Sequence, residues 1–449
     1  MRVLWLCNIM LPVIARDLGV PYSSREGWLS GYFSQFVADG SDQLAVCFPI
    51  ADRETMNIVK KRMIGGFDSD IQEMEAVSVA KFMLGQTSCY GFRADILTPE
   101  KYDASLEVQM KLIYDNFQPD IVHIFGSEYP HALAMGRVSS GRKRTVLSIQ
   151  GLCGKIAAAY TDGIPTEVIS DETIRDLVRH DAITQQQQKF EKRAEHEKEL
   201  FTLITHVTGR TGFDRETAKE LNPNIIYHHL NESLRESFYQ GRWSRDKCEP
   251  YSIFLSQGDY PVKGFHYMLS AMPSILRDFP SAHLYVAGNS IIGKHGDAAM
   301  FGKLKGKLKL SSYGKYIQSL IFRYHLEDKV TMLGSLDEEI MKARFLMSNV
   351  FVCPSTIENS SNSLCEAMLL GMPVVAAGVG GIFSLIDDDR NGLLYEPGNV
   401  ADLAAAVKIA FEEETALRIS AEAAKKAVKT HNRVINYLRL MDIYREVMR

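Results

Sequence analysis

Short runs of hydrophobic, often β-branched residues alternate along the chain with longer segments of helical periodicity. This alternation is typical of parallel β-sheets that are covered by helices on both faces. In the first half of the chain, the hydrophobic runs predict strands at residues 3–7, 44–48, 121–125, 145–149 and 203–208. In the second half, they predict strands at residues 252–255, 283–287, 330–333, 350–353, 374–377 and 393–395. The pattern therefore predicts an α/β fold with two Rossmann-like units.

The break between the two units is predicted at residues 240–250, a polar stretch where the hydrophobic periodicity lapses before the next strand. A chain of 449 residues is too long for one ordinary hydrophobic core. We predict a first domain over residues 1–240 and a second domain over residues 241–429. Open α/β sheets bind ligands beyond the carboxyl ends of their strands, so the expected ligand site is a cleft between these domains.

Composition and charge narrow the class of protein. The chain is 46% hydrophobic and 24% charged, which fits a folded protein. Its formal net charge of -4 gives no overall basic excess, and this argues against general binding of nucleic acid. The 7 cysteines are odd in number and widely scattered, which indicates buried thiols in a reducing compartment such as the cytoplasm.

The N-terminal residues 1–15 imitate a secretory signal peptide, because Arg2 precedes a mostly hydrophobic run. Asn8 and Pro12 interrupt that run, and no clear small-residue cleavage site follows. We therefore favour a first buried strand. No other segment approaches the roughly 18 uninterrupted apolar residues that a membrane-spanning helix needs, so we expect no such helix.

Two polar segments stand apart from the strand and helix pattern. Residues 167–201 predict one long charged helix, whose simplest explanation is a solvated face. Residues 303–309 form a basic, leucine-spaced run. Solvated surface again explains this run, and the alternative is a peripheral contact with anionic lipid or an anionic acceptor.

The stretch from Val350 to Ala377 carries the most specific chemistry. It predicts a strand that ends at Pro354, a polar loop, and a helix that begins near residues 361–363 and ends at Gly371. Free backbone N–H groups and the positive end of a helix dipole at such a position form an anion site. That site suits a leaving diphosphate.

Two glutamates bracket this helix start. Glu366 can offer two carboxylate oxygens to a vicinal diol such as a ribose, and Glu358 lies one loop earlier beside the same predicted pocket. The alternative is purely structural. Ser361 or Ser363 then caps the helix, and Glu366 completes a capping box with Ser363.

Glu358, seven intervening residues, Glu366, an apolar helix and Gly371-Met-Pro-Val-Val together resemble the donor-binding domain of family 4 of the retaining glycosyltransferases, a large GT-B-fold family. The similarity continues through Gly378 to Asp402 and runs back to Tyr260-Pro-Val-Lys-Gly. The resemblance implies the GT-B fold, with two Rossmann-like domains facing a central cleft. It also implies a final helix, within residues 430–449, that crosses back to the first domain.

The resemblance also assigns donor-binding roles. Lys263 should contact the donor diphosphate, Glu358 the transferred sugar and Glu366 the nucleotide ribose. The family usually places an arginine shortly before this lysine, whereas this chain has Gln257, so Gln257 or Arg210 from the first domain would compensate. The phosphates should also meet the helix start, at Ser361, Asn362, Ser363 and Leu364.

The first domain resembles the family less closely. Gly27 looks like part of the family's glycine loop, where a backbone approaches the donor or acceptor, and an ordinary turn glycine is the alternative. His123 and His131 flank the end of a predicted strand and should face the cleft. Gln150 stands where relatives often carry a histidine near the reacting sugar. Glutamine can donate a hydrogen bond, but it cannot act as a base near neutral pH.

The resemblance therefore implies a retaining glycosyltransferase that transfers a hexose-type unit from a nucleoside-diphosphate sugar, such as a UDP-sugar, to a glycan or lipid-linked acceptor. Assembly of a surface polysaccharide or glycolipid, in the cytoplasm or at the inner face of the membrane, is the expected setting. We expect no metal or other cofactor, because residues 387–389, three aspartates, have the character of a solvated turn. The alternatives are an epimerase or phosphorylase of the same fold, or a catalytically silent scaffold subunit.

Overall fold

The computed structural model describes residues 1–22, 27–63, 79–141, 144–289, 291–292 and 310–449. These residues form two compact units. Unit 1 comprises Met1–Gly154, Lys189–Arg235 and His431–Arg449, and unit 2 comprises Lys155–Gln188 and Glu236–Thr430. The basic run at residues 303–309 lies outside the described residues.

Unit 1 is built on an eight-stranded sheet with the strand order β3-β4-β2-β1-β5-β6-β7-β8. Neighbouring strands are parallel except for the antiparallel pair β3 and β4. Both faces of the sheet are buried, since Val3 and Trp5 pack into one hydrophobic cluster and Leu4 and Leu6 into another. Its strands are β1 (Arg2–Leu6), β2 (Gln43–Ile50), β3 (Val79–Leu84), β4 (Thr87–Arg93), β5 (Ile121–Phe125), β6 (Thr145–Ser148), β7 (His206–Gly209) and β8 (Ile226–His229).

Unit 2 is built on a six-stranded parallel sheet with the strand order β11-β10-β9-β12-β13-β14. Its strands are β9 (Ser252–Leu255), β10 (His283–Ala287), β11 (Val330–Gly334), β12 (Val350–Cys353), β13 (Val374–Ala377) and β14 (Leu393–Tyr395).

Helices cover the two sheets, and α6 and α9 each run across a boundary between the units. In the part of the chain that the structure describes, none of them is both long and apolar enough to cross a membrane. The helices up to α9 are α1 (Pro12–Leu18), α2 (Gly27–Asp39), α3 (Arg53–Met63), α4 (Ser105–Phe117), α5 (Pro130–Ser139), α6 (Cys153–Ala159), α7 (Thr166–Ser170), α8 (Ile174–Arg179) and α9 (Ile183–Leu203). Those that follow are α10 (Gly212–Leu221), α11 (Phe265–Asp278), α12 (Ser312–Arg323), α13 (Glu338–Met347), α14 (Asn362–Leu370), α15 (Ile382–Leu385), α16 (Val400–Phe411), α17 (Glu413–Thr430) and α18 (Arg433–Met448).

The strand order of each sheet reverses at one point. In unit 1 the reversal falls between β1 and β5, and in unit 2 between β9 and β12. The connections on the two sides of a reversal lead away in opposite directions, which opens a crevice beyond the carboxyl ends of the two strands. These two crevices are the places to look for ligand-binding side chains.

All the strands predicted from the hydrophobic runs are present, but β3, β4 and β8 were not predicted. The run predicted at residues 203–208 begins as a strand only at His206, because Leu203 ends α9. The final helix α18 packs in unit 1, as the resemblance implies, with Tyr444 accepting a hydrogen bond from Trp5 Nε1 at 2.9 Å.

Two expectations about the middle of the chain are wrong. The single long helix expected at residues 167–201 is instead the three helices α7, α8 and α9. Residues 155–188, expected in the first domain, belong to unit 2. Their buried Asp176 accepts a hydrogen bond from the Ser312 amide at 2.8 Å, and Thr356 Oγ1 donates to the Ala159 carbonyl at 3.1 Å. These long-range contacts fix the segment to unit 2.

Candidate functional site

Lys263 and Glu358 meet beyond the carboxyl ends of the two strands that flank the unit 2 crevice. Lys263 closes a short 3-10 turn (Pro261–Lys263) after β9, and Glu358 lies in the loop after β12. Lys263 Nζ donates a hydrogen bond to Glu358 Oε1 at 2.6 Å. The structure thus brings together two of the residues that the sequence singled out.

A buried serine holds the same carboxylate oxygen. Ser355 Oγ donates to Glu358 Oε1 at 2.8 Å, and the Glu358 side chain is only 9% exposed. Glu358 Oε2 has no hydrogen-bond partner among the described residues. An ammonium carries three N–H donors, so Lys263 can keep Glu358 and still bind an anion. The arrangement leaves one carboxylate oxygen and two ammonium donors for a ligand.

The charge of Lys263 is fixed by its surroundings. Burial lowers the pKa of the ammonium, but the negative charge of Glu358, with a further contribution from Tyr260, outweighs burial and leaves the pKa well above its usual range. Lys263 is therefore cationic at neutral pH. It can stabilise negative charge on a ligand, and it cannot act as a general base there.

Two glycines hold the backbone on either side of this pair. Gly264 has φ +67°, and a Cβ at that position would lie 1.8 Å from the Pro354 carbonyl oxygen. Gly380 has φ +48°, and its Cβ would lie 2.2 Å from the Glu358 carbonyl oxygen, which also accepts from the Gly381 amide at 2.8 Å. Only glycine fits these close approaches, so both ends of the Glu358 loop are fixed.

The helix after this loop is α14, capped by Ser361 at its start and by left-handed Gly371 at its end. Ser361 Oγ accepts from the Leu364 amide at 3.4 Å, so Ser361 rather than Ser363 is the N-cap. The alternative of a capping box between Ser363 and Glu366 is therefore wrong. Because the cap occupies the Leu364 amide, this amide is a weaker candidate for binding phosphate than the sequence-based expectation made it.

Two further donor-side residues lie at the same edge of unit 2. Glu366 is in the second turn of α14 and only 3% exposed. Gln257 lies in the partly exposed loop between β9 and the turn of Lys263, next to Gly258, whose amide donates to the Ala287 carbonyl at 3.2 Å. Their proposed contacts with ribose and phosphate stay predictions.

His123 does not face a ligand site, contrary to the sequence-based expectation. It is completely buried on β5, with Nδ1 2.7 Å from the Tyr444 hydroxyl and Nε2 2.7 Å from Ser148 Oγ. Burial lowers the pKa of His123 to about 3, so the ring is neutral. The side chain joins β5 to α18 inside the core of unit 1.

His131 is also buried, at 1% exposure, and cannot contact a sugar directly. Its Nε2 lies 3.2 Å from Asn8 Oδ1, and its ring stacks on Tyr129 with centroids 5.4 Å apart. Burial lowers the pKa of His131 to about 3. The expectation that this histidine faces the cleft is therefore wrong, and its hydrogen-bonding partner is Asn8.

Gln150 and Arg210 converge on Glu232, a residue that the sequence did not indicate. Gln150 Nε2 donates to Glu232 Oε1 and Arg210 Nη1 to Glu232 Oε2, both at 2.6 Å. The Arg210 and Glu232 side chains are 5% and 6% exposed, so they form a buried ion pair within unit 1. Arg210 thus already has a carboxylate partner in its own unit. Glu232 was missed because it follows β8, a strand that the sequence did not predict.

Gly27 is the first residue of α2, and a Cβ there would lie 2.9 Å from Arg235 Cγ. Residues 23–26, the rest of the expected glycine loop, lie outside the described residues. The close approach to Arg235 is a packing reason for glycine at this position.

The acidic run at residues 387–389 forms a turn, as expected. Asp389 has φ +55°, Asp388 Oδ1 accepts from the Leu394 amide at 2.8 Å, and Asp387 contacts Lys426 at 3.1 Å. Across the described ranges, no group of three or more His, Cys, Asp or Glu side chains is placed to hold a metal ion.

Comparison with known proteins places this site in a family context. Residues 239–429 match the family model described as Glycosyl transferases group 1. An uncharacterized glycosyltransferase of Methanocaldococcus jannaschii is 30% identical over 159 residues, which cover 35% of each chain. A phosphatidyl-myo-inositol mannosyltransferase of Propionibacterium freudenreichii is 26% identical over 181 residues, 40% of this chain and 39% of that protein. The matches thus span well under half of these relatives.

Solved structures match along the whole chain. Sucrose-phosphate synthase from Thermosynechococcus elongatus has a TM-score of 0.64 at 16% identity, covering 100% of this chain and 99% of that one. Anabaena HepE in complex with UDP-glucose has a TM-score of 0.61 at 15% identity, covering 99% of this chain and 100% of that one. Residues 239–429 are therefore similar in sequence to the group 1 glycosyl transferases, within a chain that has the GT-B fold.

Proposed function

We propose that this protein is a retaining glycosyltransferase that transfers a sugar from a nucleoside-diphosphate sugar to a hydroxyl of a glycan or lipid-linked acceptor. The observation that carries the proposal is the Lys263–Glu358 pair beside the N-terminus of α14, at the crevice of unit 2. An anion-binding cation next to a carboxylate with one available oxygen suits a ligand that joins a diphosphate to a sugar.

In the proposed reaction, the bond between the sugar C1 and the β-phosphate oxygen breaks, and its electron pair goes to the phosphate. The acceptor oxygen forms the new bond to C1 on the same face, and its proton passes to the leaving phosphate. Lys263 stabilises the negative charge that develops on the diphosphate, with the amides of Asn362 and Ser363. Glu358 orients the sugar and stabilises cationic character at C1.

The identity of the substrates rests on likeness and is part of the proposal. HepE, whose structure is similar, binds UDP-glucose, so a UDP-sugar is the first donor to test. The mannosyltransferase relative acts on phosphatidyl-myo-inositol, which supports a polyhydroxylated, lipid-linked acceptor and a role in surface glycan or glycolipid assembly. We propose that Lys263 and α14 supply the positive charge, so that no metal is required. Seven buried thiols fit work in the cytoplasm or at the inner face of its membrane.

Donor binding is the first test. A ligand that binds only the folded protein raises its melting temperature, so UDP-glucose, GDP-mannose and ADP-glucose can be compared by thermal shift. Lys263→Ala should remove the shift given by the best donor, whereas Lys315→Ala, a surface lysine of the same unit, should keep it. Failure of all three donors to bind would contradict the proposal.

Product analysis separates transfer from the alternatives. The donor is incubated with myo-inositol or methyl α-D-glucopyranoside, and proton NMR of the glycoside should show the anomeric configuration of the donor. Lys263→Ala should lower the rate by about 100-fold or more, the cost of removing a group that stabilises transition-state charge. A C2 epimer formed without acceptor would indicate an epimerase, and phosphate-dependent cleavage of a glycan would indicate a phosphorylase.

A further inference from the structure

The crevice of unit 1 also contains a carboxylate, that of Glu128. Glu128 follows β5, and Asn8 follows β1, so both lie beyond the carboxyl ends of the two strands at the reversal of strand order. Asn8 Nδ2 donates to Glu128 Oε2 across a long 3.4 Å. Crevices of this kind are where open α/β sheets bind ligands.

Two glycines leave room for this carboxyl group. Gly126 has φ +97°, and a Cβ there would lie 2.3 Å from Glu128 Oε2. A Cβ at Gly151, which follows β6, would lie 2.8 Å from Glu128 Oε1. Any larger residue at either position would displace the carboxyl. Glycine at the ends of two strands therefore leaves the space that the Glu128 carboxyl occupies.

A series of hydrogen bonds runs from His131 through Asn8 to Glu128. Asn8 Oδ1 can only accept a hydrogen bond, so His131, 3.2 Å away, donates to it from Nε2. That contact turns the Asn8 amide nitrogen towards Glu128. Asn8 and His131 are 5% and 1% exposed, whereas Glu128 is partly exposed. Of the three, only Glu128 can present polar atoms to a ligand.

The surroundings of Glu128 disfavour the ionised form of its carboxyl group. Although part of the residue is exposed, the protein atoms packed around its carboxyl raise its pKa to about 7, and nearby Glu197 adds to this. Its own backbone N–H, Arg193 and Asn8 oppose the shift only in part. Arg193 donates to the Glu128 carbonyl at 2.9 Å. A carboxyl kept in such a place, with only a long side-chain hydrogen bond from Asn8 at 3.4 Å among the described residues, is suited to receive a ligand.

We propose that Glu128, oriented by Asn8 and His131, binds two neighbouring hydroxyls of a polyhydroxylated acceptor, a sugar or a cyclitol. This inference rests on the proposed function, because it assigns the acceptor side of the same reaction. A carboxylate has two oxygens in one plane and can accept one hydrogen bond from each hydroxyl of a vicinal diol. Asn8 and His131 are positioning residues that do not contact the acceptor.

Glu128→Gln is the informative variant, because it keeps the shape of the side chain and removes the charge. With the donor found by thermal shift, and with myo-inositol or methyl α-D-glucopyranoside as acceptor, the apparent acceptor KM should rise by about 10- to 100-fold. Donor binding should be retained, so the donor should still raise the melting temperature of this variant. Glu216→Gln, an exposed glutamate on α10 of the same unit, is the matched control.

The pH profile distinguishes binding by Glu128 from a purely structural role. The ionised carboxylate binds the diol, so the wild-type acceptor KM should increase as the pH falls below about 7. Glu128→Gln has no carboxyl to titrate, and its acceptor KM should vary little between pH 6 and 8. Asn8→Ala, which leaves Glu128 in place but no longer oriented, should raise the acceptor KM and keep the pH dependence.

Donor binding separates failure of this inference from failure of the proposed function. Without any donor binding by the wild-type protein, the proposed function itself is wrong. If the donor binds but Glu128→Gln and Asn8→Ala both use the acceptor like the wild type, the Glu128 assignment is overturned. It is equally overturned if neither acceptor probe saturates the wild-type enzyme. Because Glu128→Gln removes a charge that burial disfavours, its melting temperature at pH 8 should equal or exceed that of the wild type.

Discussion

The Lys263–Glu358 pair makes a prediction about stability that is independent of any substrate. In Lys263→Met, the Glu358 carboxylate would keep its hydrogen bond from Ser355 but lose the cation beside it. Removing one partner of a fully buried ion pair costs about 3–5 kcal/mol. Lys263 is 20% exposed, and water can partly replace it, so we expect a cost of about 2 kcal/mol.

The second variant, Lys263→Met with Glu358→Gln, removes both charges. A neutral amide beside Ser355 and a methionine carries little desolvation penalty, so much of the lost stability should return. A change of 1 kcal/mol moves the melting temperature by roughly 2–4 °C for a domain of this size. Lys263→Met should therefore melt about 4–8 °C lower than the wild type. The double variant should melt within about 2 °C of the wild type.

Scanning calorimetry without ligand is the assay, because two units can give two transitions. On the proposed function, a bound donor should raise the unit 2 transition, and a separate scan with donor identifies it. The single variant Glu358→Gln completes a double-mutant cycle with the wild type, Lys263→Met and the double variant. The coupling energy of this cycle should be about 1–2 kcal/mol. If the double variant melts as low as Lys263→Met, the uncompensated charge of Glu358 is not the cause of the loss, and the reasoning is refuted.

Three further predictions test other parts of the structure. Ser355→Ala removes one of the two hydrogen bonds that hold Glu358 Oε1. It should lower kcat for transfer by about 10-fold with little change in donor affinity, as measured by steady-state kinetics. Gly380→Ala should lower the melting temperature far more than Gly371→Ala. Both glycines have positive φ, but a Cβ at Gly380 would lie 2.2 Å from a backbone oxygen, whereas at Gly371 the backbone oxygen within reach is 3.8 Å away, an ordinary contact. Equal losses would show that backbone strain and not the contact dominates. Burial lowers the pKa of His123 from 6.5 to about 3, so the unfolded chain takes up this proton at a higher pH than the folded protein does. The stability that this residue contributes is therefore complete above about pH 6.5 and declines as the pH falls towards 3. His123→Gln should weaken the pH dependence of urea unfolding between these two values.

The buried strands could be predicted because both faces of each sheet are covered. Such strands are continuous hydrophobic runs that stand out from the surrounding helices. The missed strands β3 and β4 lack this signal, since polar residues such as Lys81 and Ser88 interrupt them. Strand β8, at the sheet edge, contains two histidines and has one buried residue.

The meeting of Lys263 and Glu358 could be predicted because each residue lies in a short, specific motif after a hydrophobic strand, and the carboxyl ends of parallel strands share one edge of the sheet. The orientation of His123 could not, because neighbours on both faces of β5 are equally hydrophobic and alternation then gives no direction. The convergence of Gln150 and Arg210 on Glu232 joins residues 82 and 22 positions apart. Such pairings depend on the order of the strands, which a hydrophobic pattern does not contain.

The hydrogen bonds of Tyr444 to Trp5 and to the ring of His123 have a consequence for the order of folding during synthesis. Helix α18 supplies Tyr437, Leu440 and Ile443 to the same hydrophobic cluster that contains the first strand. Unit 1 therefore contains residues that are made before those of unit 2, but it completes its core only when residues 431–449 have been released. The whole of unit 2 has emerged by then and can fold first. Until then unit 1 keeps part of its hydrophobic core exposed. A nascent chain depends most on chaperones during such an interval.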